Sequence, residues 1–598
     1  MLSSGRDDTK NETHEASAVD RNGLRWCLAL LFSAAISFFL YHKDHFISAQ
    51  YAALLSLLLV VVSYGFATRQ GDDAPYFRCG TVGVLLALVL TCLPLAGYTW
   101  SMADDYVIPM MLGPSGRMGL GDLARRLAST ESLSVIFDNA SGRFQPVFVL
   151  MYALDAFFFG DSITAWYVWY GCLFLASAAL LLLALRQCFD GITAVLAGCV
   201  LLTQLQWHWL FRDTGVVEVY GLFGLALVLY RIARDFDRPS VSLGSYALLA
   251  LGNLVMLGTK ETFVLACALP LVFLLARCRR GPAGQRRRAL VFFGLILLCD
   301  LYVFLGIWAA LSVTGADVYG REVGVASLCT SLGEYLSALG GLIRWPWYAA
   351  ALAALVAVRL FLGRERESRT AFRTRTLGYG LATAWVFLFG LSQYVFYHGE
   401  VDNQHYSLPF SATPAVLWLL AGRYFLETTA LAPARTARTA AGMLVGFLCA
   451  YGFLTAPLFA RDFIRIFGQS NAAYVATLEK IAAAVSGAPD RPLVLVVGDT
   501  DNDELVVSPA VYLKKVLRIP NAIFVKQAAA ETPLIRRLRD EGYVDVLLPG
   551  EPPSGAPAFL VGVMAVPEGE FGNLGRLLPV EAGQPRLKLF PVLSRNIW

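Results

Sequence analysis

Two adjacent carboxylates, Asp104 and Asp105, follow directly on an apolar segment long enough to cross a bilayer, in the stretch WSMADDYVIP from Trp100 to Pro109. Such a pair can divide labour: one carboxylate takes a proton from an acceptor hydroxyl while its neighbour orients that acceptor or binds a divalent metal. Spacing does not say which aspartate is the base, and a solvated acidic stop at the end of a span is the plain alternative. Three cations stand as candidates to hold an anionic group such as phosphate: Arg143 in SGRFQP, Arg212 beside Asp213, and Lys260 beside Glu261. A cation at the edge of hydrocarbon is costly enough to need a partner. Lys260 and Glu261 interrupt the apolar stretch 242–277, so they read either as a substrate contact or as a hairpin whose pair meets water. Arg212, Asp213 and Glu218 read as an ion pair at a helix start. The loop HGEVDNQHYSLP gathers His398, Glu400, Asp402, His405 and Tyr406, a set suited to contacting sugar or phosphate but with no established metal-ligand spacing.

The elements that must position these residues are membrane spans. The chain has 598 residues, of which 57% are hydrophobic and 16% charged, and its mean hydropathy is +0.56; this is too apolar for a soluble enzyme of its size. At about twenty apolar residues per crossing, spans are expected near 24–42, 46–67, 82–100, 164–185, 191–210, 214–232, 242–258, 262–277, 289–313, 343–362, 376–397, 409–425 and 440–459. The fold class is thus a polytopic α-helical membrane protein of about thirteen crossings. Basic loops follow alternate spans: Arg231, Arg234 and Arg238; Arg277 to Arg288; Gly363 to Arg375; and Arg423, Arg435 and Arg438. With the amino terminus inside, all four fall on the cytoplasmic side of the cytoplasmic (inner) membrane. Asp104 and Asp105, the loops bearing Arg212, Lys260 and His398, and the carboxyl-terminal part then face outward.

The division is therefore a cytoplasmic tail over 1–23, a membrane region over 24–460 with an outer loop at 101–163, and an extracytoplasmic part over 461–598. In the outer loop, Met118, Leu120, Leu123 and Leu127 share the spacing of one helix face opposite Arg125 and Arg126, which predicts a helix lying in the interface. The run 145–160 is apolar but short and interrupted by Asp155. Beyond Arg461, helix-like runs at Asn471–Val485 and Val507–Leu517 and a basic helix at Leu534–Arg539 alternate with strand candidates at Pro492–Val497 and Ala522–Val525, a pattern that predicts a soluble α/β domain. Its acidic turn GDTDNDE, Gly498 to Glu504, lacks the sixth-position Gly and distal Glu of a calcium loop. The 11 cysteines include no CxxC pair, so neither a disulfide framework nor a zinc site is implied. The net charge of +4 implies no nucleic-acid partner.

The order DDY, GRFQP, FFFGDS and YSLP (Tyr406 to Pro409) on this architecture resembles the GT-C superfamily of membrane glycosyltransferases, which includes protein O-mannosyltransferases and lipid A aminoarabinose transferases. Two spans precede the one leading into the acidic pair, where the family commonly has one. The resemblance implies a GT-C-like membrane domain and inverting transfer of a sugar from a polyprenyl-phosphate donor to a hydroxyl of a glycan, lipid or protein acceptor. It favours Asp104 as base with Asp105 as helper, or as the metal's ligand if one is bound, and Arg143 first among the phosphate-binding cations. No cofactor is implied beyond a divalent metal. A lipid-linked saccharide transporter or flippase, and a polysaccharide polymerase or ligase, are the alternatives; the absence of matching halves and the clustering of polar groups on one face argue against the transporter.

Overall fold

The computed structural model describes residues 74–103, 105–112, 116–128, 144–189, 191–202, 205–314, 329–337, 369–397, 413, 416–417, 420, 460–490, 492–497, 504–527, 539, 544–547 and 559–563. Four stretches in these residues are long and apolar enough to cross a membrane: Gly80–Gly97, Ile163–Cys188, Glu261–Arg279 and Ala283–Ala309. The architecture is mostly helical and compatible with a helical membrane protein. The expected crossings at 24–42, 46–67, 343–362 and 440–459, and most of 409–425, lie outside the described residues.

The first described helix, α1 (Ala74–Cys92), tightens into a 3-10 turn at Leu93–Gly97, where Pro94 supplies a helix-compatible φ, and leads into the acidic loop. A single turn, α2 (Val107–Met111), is wholly buried behind it. Helix α3 (Leu120–Ala128) follows where an interfacial helix was expected, with one correction: Met118 and Leu123 are buried but Leu120 is 72% exposed, so these three do not share a face. Helix α4 (Pro146–Phe159) starts on a proline and stops at Gly160, whose φ of +55° is the left-handed region open to glycine. Its 14 residues rise about 21 Å, short of a hydrocarbon core of about 30 Å. It packs on its neighbours, and Asp155 accepts a hydrogen bond from the Tyr220 hydroxyl.

The centre of the bundle is α5 (Ile163–Cys188), α7 (Glu218–Asp235) and α8 (Leu243–Thr259). The backbones of α7 and α8 touch at Gly224, where a Cβ would lie 2.5 Å from the Met256 amide nitrogen and 2.7 Å from the Gly252 carbonyl. Ser242 caps α8 by accepting a hydrogen bond from the Ser245 amide at 3.2 Å. Between α5 and α7 the expected crossing 191–210 is not one helix. It resolves into α6 (Gly191–Leu202), of 12 residues, and a 3-10 segment, Leu205–Phe211. The polar Gln206 and His208 interrupt the apolar run, the Trp207 indole donates back to the Leu201 carbonyl, and His208 stacks at 4.6 Å on Phe463.

After α8 the chain turns through a 3-10 segment, Glu261–Cys267, into α9 (Ala268–Arg280) and the 32-residue α10 (Ala283–Thr314). Helix α10 leaves Leu290, Leu298, Leu305 and Trp308 more than 60% exposed, a face whose apolar area suits lipid. Helix α11 (Arg369–Tyr397) packs beside the 261–267 turn. The two described basic loops meet at one end of the bundle: Arg231 pairs with Asp235 at 2.5 Å, and Arg277 donates to the carbonyls of Arg238 and Pro239.

Helix α12 (Ala460–Ser486) is longer than the run expected at Asn471–Val485. Strands β1 (Leu493–Val497), β2 (Ile523–Gln527), β3 (Asp545–Leu547) and β4 (Phe559–Val563) form an all-parallel sheet in the order β3-β2-β1-β4, with α13 (Glu504–Val511) and a π turn (Tyr512–Val516) between β1 and β2. Residues 498–503 of the acidic turn and 534–538 of the basic run lie outside the described residues. This region packs on the acidic loop: the Tyr98 hydroxyl donates to the Ile464 carbonyl, Asn471 donates to the Thr99 carbonyl at 3.5 Å, and Trp100 meets Tyr512 edge-on at 5.9 Å.

Candidate active site

Asp105 is wholly buried, at 0% exposure, which overturns the solvated stop for this residue. Four residues after Ser101, it receives that residue's backbone N–H on Oδ2 at 2.6 Å. The Tyr167 hydroxyl, from α5, donates to the same oxygen at 3.1 Å, and the Thr214 amide donates to Oδ1 at 2.9 Å. Thr214 is itself a junction, since its carbonyl accepts from Tyr170 at 2.7 Å and its hydroxyl meets that of Tyr152 at 3.1 Å. One carboxylate thus binds the outer loop to α5 and to the link before α7. Burial pushes the Asp105 carboxyl up to about 7, while the hydrogen bonds from Ser101, Thr214 and Tyr167 pull it back toward the charged form.

That donor set does not suit a metal. Both Asp105 oxygens are already engaged by protein donors, and no group of three His, Cys, Asp or Glu side chains able to hold an ion occurs among the described residues. The assignment of a metal to Asp105 is therefore not supported by its surroundings.

The second cluster lies at the joint between α8 and the segment that follows. Lys260 is 2% exposed and its Nζ sits 2.7 Å from Glu218 Oε1 at the start of α7. Glu261 is 6% exposed and accepts from Gln145 Nε2 at 2.7 Å. The hairpin meeting water is thereby excluded: Lys260 and Glu261 are buried and each is held by a different residue. Glu218 pairs with Lys260, while Arg212 Nε lies 3.7 Å from Asp213 Oδ2. Arg212 remains a third exposed and lies over the Trp209 ring at 6.0 Å.

Asp104, Arg143, His398, Glu400, His405 and Tyr406 lie outside the described residues. Sequence reasoning missed Tyr167, which sits inside an apolar run, and Thr214 and Gln145, neutral residues beside the charges of RDT and SGRFQP. The partnership of Lys260 with Glu218 was open to it, because both are charges at the same expected membrane face. Comparison with models of protein families, with curated proteins and with solved structures returns no match to this chain.

Proposed function

We propose that the chain is a GT-C-type glycosyltransferase that moves a sugar from a polyprenyl-phosphate donor to an acceptor hydroxyl at the outer face of the cytoplasmic membrane. The observation that carries this reading is the burial of Asp105 in a cage of three residues' donors. A carboxylate at the end of a span is ordinarily wet, and burying one is costly unless it is hydrogen-bonded. Here that cost secures the backbone on which Asp104 is the next residue. Asp104 is then the base, and Asp105 holds it in place. The acceptor oxygen bonds to the anomeric carbon as Asp104 takes its proton, and the bond from that carbon to the phosphate oxygen breaks with inversion. Arg143 steadies the departing lipid phosphate. Lys260, whose charge Glu218 balances, serves the architecture of the site.

Thirteen crossings with the four basic loops inside give the orientation this chemistry needs. The contacts of Ile464, Asn471 and Tyr512 with residues 98–100 favour a role for the region 461–598 in presenting the acceptor as an extracytoplasmic α/β domain. The test is donor consumption: purified full-length protein in nanodiscs, given a panel of radiolabelled polyprenyl-phosphate sugars with envelope extract as acceptor, transfers label from at least one of them. Consumption of none, with the protein folded, removes the reading.

A further inference from the structure

Asp300 stands midway along α10 and is 2% exposed, although the same helix turns Leu298 and Leu301 outward. It shares the buried face with Ile296, which packs beside Leu249 of α8, and with Val303, which packs beside Leu257 of α8. Counted along the axis, it lies about 18 Å from Arg288, the last residue of the basic loop, which in a spanning helix is deep within a hydrocarbon core of about 30 Å.

Its hydrogen-bond partner is Asn253 of α8, 1% exposed, whose Nδ2 donates to Asp300 Oδ1 at 2.6 Å. Each group keeps one buried oxygen, Asp300 Oδ2 and Asn253 Oδ1, with no hydrogen-bond partner among the described residues. An ionised Asp300 leaves both orphaned, because carboxylate and amide oxygens only accept, and it sets a bare charge in hydrocarbon. No cation balances that charge among the described residues. Tyr246 of α8, Arg277 to Arg280 of α9 and Arg286 to Arg288 of α10 stand at the basic-loop end, where Tyr246 bonds to Gln285, Arg277 to the Arg238 and Pro239 carbonyls and Arg286 to the Gly281 carbonyl. On the segment 261–267, Glu261 is held by Gln145, and Cys267, which interacts electrostatically with Asp300, brings no positive charge. Nor do Cys299 and Tyr302, which flank Asp300 on its own helix. One proton on Asp300 Oδ2 removes both orphans at once: the new O–H donates to Asn253 Oδ1 while the existing bond runs the other way. Both end groups are planar, and their terminal torsions turn freely enough to close this ring.

We infer that Asp300 and Asn253 form a proton-binding site inside the bundle, a neutral carboxylic acid paired with a carboxamide by two hydrogen bonds, which locks α10 to α8. The proton comes from water, and the O–H on Oδ2 is the one covalent bond made. Its loss leaves an anion facing the Asn253 carbonyl and loosens the two helices. The site does not depend on the transfer reaction, and its state is read without activity.

Infrared difference spectroscopy tests it on the full-length protein in nanodiscs, because a carboxylic acid has a C=O stretch that a carboxylate lacks. The spectra are taken at about pH 7, where an ordinary aspartate is ionised. One acid band of the parent is expected to vanish in Asp300→Asn. That variant's amide can make the same two bonds to Asn253, so it should resist SDS as the parent does. Asn253→Ala removes the donor to the acid carbonyl, so the acid band should persist and move to higher frequency. Loss of no acid band in Asp300→Asn means that Asp300 is ionised, and overturns the inference. An acid band at the parent's frequency in Asn253→Ala overturns it as well, since the acid is then not paired with the amide. Should Asp300→Asn fail to fold, the parent and Asn253→Ala decide alone: an acid band that moves supports the site, and the absence of any moving band refutes it.

Discussion

Gly224→Ala is the change that probes most sharply how the bundle holds its buried ion pair. The added methyl would stand 2.5 Å from the Met256 amide nitrogen and 2.7 Å from the Gly252 carbonyl, and both are backbone atoms that cannot swing aside. Ordinary contact begins at 3.4 Å, so α7 and α8 must part by about 0.9 Å at this crossing. The Lys260–Glu218 pair joins the start of α7 to the residue after α8, six positions from Gly224. Carried in full to that pair, the displacement stretches its 2.7 Å contact to about 3.6 Å, beyond hydrogen-bond length. Overpacking of this kind costs about 1–3 kcal/mol. Gly294→Ala in α10 is the control: nothing lies within 4 Å of its Cβ, and alanine there gains up to about 1 kcal/mol from helix propensity. Equilibrium unfolding of both variants by SDS titration should separate them by at least about 1 kcal/mol, with Gly224→Ala the less stable. Equal stabilities would refute the claim that backbone contact at Gly224 sets the α7–α8 distance.

Lys260→Met alone leaves Glu218 buried without its partner and should cost about 3–5 kcal/mol, whereas the double change with Glu218→Leu should recover most of that loss; SDS titration of the two reads the difference. The Asp105 carboxyl, pushed up to about 7 from an ordinary 3.8, makes stability depend on pH. The folded protein holds a proton that the unfolded chain releases, so this group's contribution is full below about pH 3.8, shrinks as pH rises, and is lost past about pH 7, on the order of 4 kcal/mol in all. Thermal midpoints should fall between pH 5 and 8 in the parent and fall less in Asp105→Asn. Tyr167→Phe removes one donor from the cage and should cost about 1–3 kcal/mol by SDS titration, leaving the Ser101 and Thr214 bonds in place.

Long apolar runs were the legible part of the fold. The segments 164–185 and 289–313 each fall within a helix, and 242–258 does so but for its first residue, the cap, because length and hydropathy decide such a helix with little help from tertiary contacts. The passage of the run 191–210 from α-helix into a 3-10 segment was not legible, since hydropathy averages over Gln206 and His208, while the 3-10 segment carries an indole bonded to one particular carbonyl. In the site, the charges announced themselves and their partners did not. Asp105 stands out in WSMADDYVIP, yet two of the three residues of its cage lie 62 and 109 positions away, Tyr167 donating its hydroxyl and Thr214 its backbone amide, and neither carries a charge. Lys260 drew notice beside Glu261, its neighbour in the chain, but a turn sends the two side chains to Glu218 and Gln145.

In the proposed site Asp104 does the chemistry and Asp105 holds it in position. Single-turnover transfer from the active polyprenyl-phosphate sugar, compared between the parent, Asp104→Asn and Asp105→Asn, tests it most directly. Asp104→Asn is expected to abolish turnover at every pH with thermal stability unchanged, and Asp105→Asn to keep a reduced rate alongside altered stability. Full activity in Asp104→Asn, or loss of turnover confined to Asp105→Asn, would contradict it.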